Sequence, residues 1–187
     1  FEGNSGQDCD AVSGYTQALM TGTQTWVTLP RDQWSAHWKG MRRPYCRLRL
    51  ALYGHPLAGL FCEKHCAKAL REEGFVPVPA WECLYYHPTE KLFLSVYVDD
   101  FKMAGQSTSL APMWKRLKKH LTLDEPTPLH ASVYLGCSQY DCELDPSVMK
   151  DQQGSFGSLF KDPGHKSAQS TPTTTIDIDA IREDGLI

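Results

Sequence analysis

The stretch Leu92-Phe93-Leu94-Ser95-Val96-Tyr97-Val98-Asp99-Asp100-Phe101-Lys102-Met103-Ala104 decides how this chain folds. Leu92, Leu94, Val96 and Val98 alternate with Phe93, Ser95, Tyr97 and Asp99, the period of two that a β-strand imposes. The apolar run breaks at Asp99-Asp100 and resumes at Phe101. That break predicts a hairpin with both acids in its turn and a second arm starting at Phe101. Adjacent anions at the tip of a buried hairpin repel each other and lose solvation unless a cation neutralises them. Mg²⁺ is the usual cation for such a site, a hard ion that takes carboxylate oxygens and leaves positions open for phosphate. The ordinary alternative is a polar turn without metal, because Asp is common in turns.

Working outward, Pro88-Thr89-Glu90-Lys91 reads as the turn between a short strand, Cys83 to His87, and the strand that begins at Leu92. Further upstream, Pro56 can start a helix and Gly74 can cap its C-terminus, with Phe75 folding back onto the apolar side. Glu63, Lys64, Lys68, Arg71 and Glu72 occupy the outer face of that helix. Cys62 and Cys66 fall one turn apart, in line with Ala69 and Leu70, where free cysteine packs as a small hydrophobe. A zinc-stabilised interaction module built on Cys62, His65, Cys66, Cys83 and His87 is a distant alternative, since structural zinc sites favour tighter Cys-x-x-Cys spacings. Downstream, Leu110, Met113, Trp114, Leu117 and Leu121 share one face of a helix predicted from about Leu110 to Leu121. Hairpins mixed with helices, rather than repeated βαβ units, indicate an α+β domain with an antiparallel sheet backed by helices.

With 187 residues the chain can bury one domain and carry a tail. The net charge of −3 hides an asymmetry: residues 1–120 sum to +4 and residues 121–187 to −7. A nucleic-acid enzyme needs cations near phosphates. Lys39, Arg42, Arg43, Arg47 and Arg49 form one candidate cluster, and Lys115, Arg116, Lys118 and Lys119 another that reads better as a solvated helix face. Seven cysteines, an odd number without a secretory signal, indicate reduced thiols and an intracellular protein. The longest apolar runs are of strand length, so no membrane association is expected. Residues 142–187 are Gly-, Ser-, Thr- and Pro-rich and then acidic, a composition that buries too little to offset chain entropy. A domain over 1–141 followed by a disordered tail is therefore expected.

A metal site of this kind needs a further carboxylate from a neighbouring strand, and Asp10 is the candidate. It opens Asp10-Ala11-Val12-Ser13-Gly14-Tyr15, with a helix or turn over Thr16 to Met20 behind it. Asp-x4-Tyr together with Tyr97-Val98-Asp99-Asp100 resembles the catalytic core of reverse transcriptases, most closely those of copia-type long-terminal-repeat retrotransposons. Further blocks agree in order. They are Thr25-Trp26-Val27-Thr28-Leu29-Pro30, Cys46-Arg47-Leu48-Arg49-Leu50-Ala51-Leu52-Tyr53-Gly54, Glu72-Glu73-Gly74-Phe75, and Thr127-Pro128-Leu129 through Tyr134-Leu135-Gly136. The resemblance runs over about residues 8 to 138.

The resemblance implies a polymerase-palm fold and an RNA-directed DNA polymerase that transfers nucleotides with two Mg²⁺ ions, Mn²⁺ being a possible substitute. Asp10, Asp99 and Asp100 would be the catalytic, metal-binding carboxylates, and Tyr15 the aromatic gate that leaves no room for a sugar 2′-hydroxyl. Tyr53 and Gly54 would lie near the incoming nucleotide, and Tyr97 and Val98 beneath the primer end. Implied partners are an RNA template, a DNA primer, a deoxynucleoside triphosphate and the rest of a Pol polyprotein. Two departures stand out. His55-Pro56-Leu57 replaces the family's Leu-Lys-Gln after Tyr-Gly, and Lys102 occupies a position the family keeps apolar. The chain opens on Phe1 about one strand before Asp10, as expected of a fragment without the fingers region, so a non-catalytic remnant is the competing reading. On either reading, these residues alone are not expected to extend a primer.

Overall fold

The computed structural model describes residues 3–140 and 145–157. A six-stranded sheet forms the centre, with every neighbouring pair antiparallel. In chain order its strands are β1 (Asn4–Asp10), then β4 (Val76–Pro77), β5 (Leu84–His87), β6 (Leu92–Tyr97), β7 (Asp100–Gln106) and β8 (Thr127–Pro128). Their spatial order is β4-β5-β6-β7-β1-β8. A separate two-stranded pair joins β2 (Trp26–Val27) to β3 (Cys46–Arg47), and another joins β9 (Val133–Tyr134) to β10 (Cys137–Ser138). Helix α1 spans Ala58–Glu72 and α2 spans Ser107–Leu117. The protein is thus mixed α+β, with an antiparallel sheet and helices.

The alternation read from residues 92–104 holds through Val96, while Val98 leaves the strand for the turn and is exposed. Leu92, Leu94 and Val96 are buried, as are their cross-strand neighbours Phe101 and Met103. These residues meet Cys62, Cys66 and Leu70 of α1 and Leu110, Met113, Trp114 and Leu117 of α2 in one core, with Leu121 beyond the helix end. Trp114 keeps its indole N–H satisfied by donating 3.0 Å to Oε1 of Gln7. The expected stripe from Leu110 to Leu121 is present, although the helix proper starts at Ser107 and ends at Leu117.

Helix α1 stops as its sequence predicts. Gly74 takes φ +93°, its N–H bonds the Arg71 carbonyl at 3.0 Å, and the Phe75 N–H reaches the Leu70 carbonyl at 2.9 Å. Those two bonds make a Schellman termination, and buried Phe75 seals it against the core. At the other end, His55 accepts the Leu57 N–H on Nδ1 at 3.1 Å, so its Nε2 carries the proton and donates to Thr25 Oγ1 at 3.1 Å. His55 therefore holds the entry to α1.

Two expectations need correction. The hairpin turn is Val98-Asp99, not Asp99-Asp100, and the second arm starts at Asp100, which pairs with Tyr97. A two-residue loop closes this register, and Asp100 is kept in the ladder because β1 pairs with it from the other side. The second concerns the acidic end. A helix, α3, covers Pro146–Gly157 within the stretch expected to lack regular structure. Its signal was legible: Asp145 accepts the Ser147 N–H at 2.8 Å as an N-cap, and Pro146 suits the first helical position. The α3 side chains whose exposure is described are all exposed. The rest of the expected tail, residues 142–144 and 158–187, lies outside the described residues.

Candidate functional site

The acidic residues gather at one end of the central strands because of register. Asp10, the last residue of β1, stands directly opposite Asp100, the first of β7. Directly paired residues share a face, as do residues two apart on one strand. Asp8 and Asp10 of β1, Asp100 and Lys102 of β7, and Ser95 and Tyr97 of β6 consequently line the face opposite the helices. Cys9, Val96 and Phe101 point the other way into the core.

Asp99 sits in the turn. The Ala11 N–H donates to its carbonyl at 2.7 Å, which splices the turn to the chain just past Asp10. Its carboxylate accepts the Tyr53 hydroxyl on Oδ2 at 2.9 Å, while Oδ1 is buried without a hydrogen-bond partner. Gly14 lies beneath it, and a Cβ there would fall 2.3 Å from Oδ1. The preceding Val98 is held at φ +56°, which is strained for a β-branched residue.

Burial pushes the Asp100 carboxyl above its ordinary range. The charge of Asp10, a hydrogen bond with Asp10, and the charges of Asp99 and Asp8 act in the same direction. Tyr53 is likewise raised, chiefly because its phenolic proton is held by Asp99.

The other expected residues fall around this cluster. Tyr15 belongs to a short 3-10 turn over Gly14–Gln17, packs on the core, and lies 4.5 Å ring to ring from Tyr53. Gly54 follows at φ +87°. Tyr97 and Val98 are exposed at the hairpin tip.

Two features escaped the sequence reading. Asp8 is only 6 % exposed and accepts from both Ser132 Oγ and Gln139 Nε2. Lys102, directly across from Asp8, donates to Gln139 Oε1 and stands 4.1 Å over the Tyr134 ring. The segment carrying β9 and β10 thus folds back over the inner part of the acidic face, leaving Asp10 exposed at its end. The spacing of Asp8 and Asp10 was the available signal, since alternate residues on a strand share a face.

The donor set suits a hard divalent cation in kind: carboxylate oxygens only, Asp10 and Asp100 crowding each other, and an orphaned buried oxygen on Asp99. The arrangement itself is not closed. Asp99 is turned to Tyr53, and among the described residues no group of three or more His, Cys, Asp or Glu side chains is placed to hold a metal ion.

That last fact also bears on the zinc alternative. Cys62 and Cys66 are buried in the core, and Cys66 is held protonated by its contact with Cys62 and by burial. Both nitrogens of His87 are engaged, Nδ1 accepting the Glu90 N–H at 3.2 Å and Nε2 donating to the Glu73 carbonyl at 3.0 Å.

Compared with known proteins, the chain matches no family model, no curated protein and no solved structure. Among the described residues, no helix is long and apolar enough to cross a membrane.

Proposed function

We propose that this chain is a palm-like domain of a copia-type reverse transcriptase, acting as an RNA-directed DNA polymerase when joined to the rest of its polyprotein. The observation that carries the reading is the cross-strand pairing of Asp10 with Asp100, with Asp99 in the adjoining turn. The two acidic motifs lie far apart in sequence, and a shared chemical task would account for placing like charges side by side. Asp10, Asp99 and Asp100 would hold the divalent ions, Asp99 by exchanging its Tyr53 bond for metal. Bound Mg²⁺ or Mn²⁺ would supply charge neutralisation at phosphorus and a more acidic primer 3′-hydroxyl. Tyr15 and Tyr53, in tilted ring contact beside Asp99, would shape the seat of the nucleotide sugar, with Gly54 allowing close approach. Tyr97 and Val98 at the exposed tip would meet the primer end.

A second reading, a folded remnant without catalysis, is favoured by one observation: the Asp99 carboxylate is committed to Tyr53 rather than aimed at Asp10. Mn²⁺ titration followed by electron paramagnetic resonance separates the two. The polymerase reading expects weak binding that Asp10→Asn, Asp99→Asn and Asp100→Asn each abolish. Absence of binding by the unaltered chain overturns it in favour of the remnant. Primer extension on an RNA template, with the chain joined to its flanking reading frame, should be lost in the same three variants.

A further inference from the structure

Asp10 is the last residue of β1 and faces a like charge on β7, so repulsion works to part the two strand ends. A segment that follows α2 lies along the other edge of β1 and opposes this. Ala11 bridges Leu123, the Val12 N–H donates to the Thr122 carbonyl at 3.0 Å, and the Asp124 N–H donates to the Asp10 carbonyl at 2.9 Å. The Cys9 thiol adds a contact to the Asp124 carbonyl at 3.1 Å, and Leu121 and Leu123 are buried. This strap is bulged. Counting from Ala11 opposite Leu123, an unbroken ladder would set Asp8 opposite Pro126, yet Asp8 pairs with Thr127. The strap therefore holds one extra residue between those two pairs. Such bulges bend a strand, re-aim its side chains, and are over-represented beside active sites.

One side chain closes the strap onto the chain just past Asp10. Gln17 ends the 3-10 turn Gly14–Gln17, ahead of which Ser13 takes φ +52° and reverses the backbone. The Gln17 Nε2 donates to the carbonyls of Val12 at 2.8 Å and Thr122 at 2.9 Å, while its Oε1 accepts the Thr122 N–H at 2.8 Å. A carboxamide can donate twice and accept once, whereas a carboxylate only accepts and an ammonium only donates. Three bonds from one half-buried side chain thus join the two backbone segments on which the setting of Asp10 depends.

We propose that Gln17 is a positioning residue for the acidic site, locking the strap against β1 so that the Asp10 carboxylate stays opposite Asp100 and able to share a divalent ion with it. The inference rests on the divalent-ion reading of Asp10, Asp99 and Asp100 given above. Gln17 acts through the backbone of Val12 and Thr122, not as a ligand. Groups that orient metal ligands from outside typically change metal affinity about 10–100-fold when removed.

The test compares the full chain with Gln17→Met, which keeps the side-chain length and loses all three bonds. Followed by electron paramagnetic resonance, Mn²⁺ should bind the variant about tenfold more weakly. The spectrum of the bound ion should also change in its zero-field splitting, because the ligands have moved. A variant that had only lost folded fraction would keep the original spectrum at lower intensity, and that result would overturn the proposal. Amide hydrogen exchange by NMR supplies a readout without metal. The Val12 and Asp124 N–H groups should exchange about tenfold faster, while the amides paired between β6 and β7 stay protected. Unchanged exchange at Val12 and Asp124 would overturn the proposal as well. Ser109→Ala, which removes a hydrogen bond to Glu90, is the control and should alter neither readout. If the unaltered chain binds no Mn²⁺, the divalent-ion reading falls and the role of Gln17 falls with it. Binding by the unaltered chain that Gln17→Met leaves untouched sinks the positioning role alone.

Discussion

The phenol of Tyr53 donates a 2.9 Å hydrogen bond to Oδ2 of Asp99, joining the loop ahead of α1 to the tip of the β6–β7 hairpin. This bond decides where the Asp99 carboxylate points, and Gly14 gives the other oxygen its seat. Oδ1 is left as the unengaged oxygen of that carboxylate.

Tyr53 should therefore titrate above the ordinary tyrosine range, since ionising it removes the proton that Asp99 accepts and places two anions together. In Asp99→Asn the Tyr53 phenol should fall back toward ~10. Carbon-detected NMR of ring-labelled tyrosine, with Tyr53→Phe for assignment, reads this directly. A Tyr53 resonance that titrates identically in both proteins would show that the bond does not form in solution.

Val98 carries positive φ at the head of the acidic turn, a conformation that costs about 1–3 kcal/mol for such a residue. Val98→Gly should consequently stabilise the fold, by roughly 1 kcal/mol after the entropy of glycine is subtracted. Urea denaturation measures it, and a clear loss of stability would mean that the Val98 side chain makes contacts worth more than the strain.

Two glycines should resist substitution for a different reason. Gly74 combines φ +93° with a Cβ position only 2.9 Å from His87 Nε2, and Gly105 combines φ +147° with one 2.4 Å from the Lys91 carbonyl oxygen. Backbone cannot swing aside as a side chain can, so Gly105→Ala should be the more damaging, with about 1–3 kcal/mol expected from the conformational cost alone at each site. Gly14→Ala should cost less than either, because the Asp99 carboxylate in its way can rotate. Denaturant midpoints for the three variants give the ranking.

Acid should weaken the fold in two stages. Burial lowers the His87 pKa below its ordinary 6.5, so as pH falls past that value the unfolded chain takes up a proton that the native one refuses. Glu73 is lowered below its ordinary 4.5, chiefly by the hydrogen bond from Arg116, so its contribution is present above that pH and is lost below it. Stability measured at stepped pH should show both declines. His87→Gln should reduce the upper one, which His65, also lowered by burial, shares, and Arg116→Gln should shrink the lower one.

Much of this protein could be read without coordinates. The alternation through residues 92–104 required a strand pair, and Gly74-Phe75 closed a helix whose apolar stripe ran through Cys62, Cys66 and Leu70. The stripe from Leu110 to Leu121 placed the second helix, because residues three and four apart must share a face. These are local properties, set by the covalent periodicity of the backbone. Tertiary structure decided the rest. It shifted the turn to Val98-Asp99, brought β1 against β7 so that Asp10 faces Asp100, and laid Gln139 and Ser132 over Asp8. Strand pairing across many intervening residues depends on which edges remain free once the core has closed, and no window of sequence contains that information. The sequence by itself thus determined the central hairpin, the two helices packed on it and which residues are acidic at the strand ends, but not helix α3. Only the packed sheet determined that Asp10 and Asp100 meet, and that Asp99 is engaged by Tyr53.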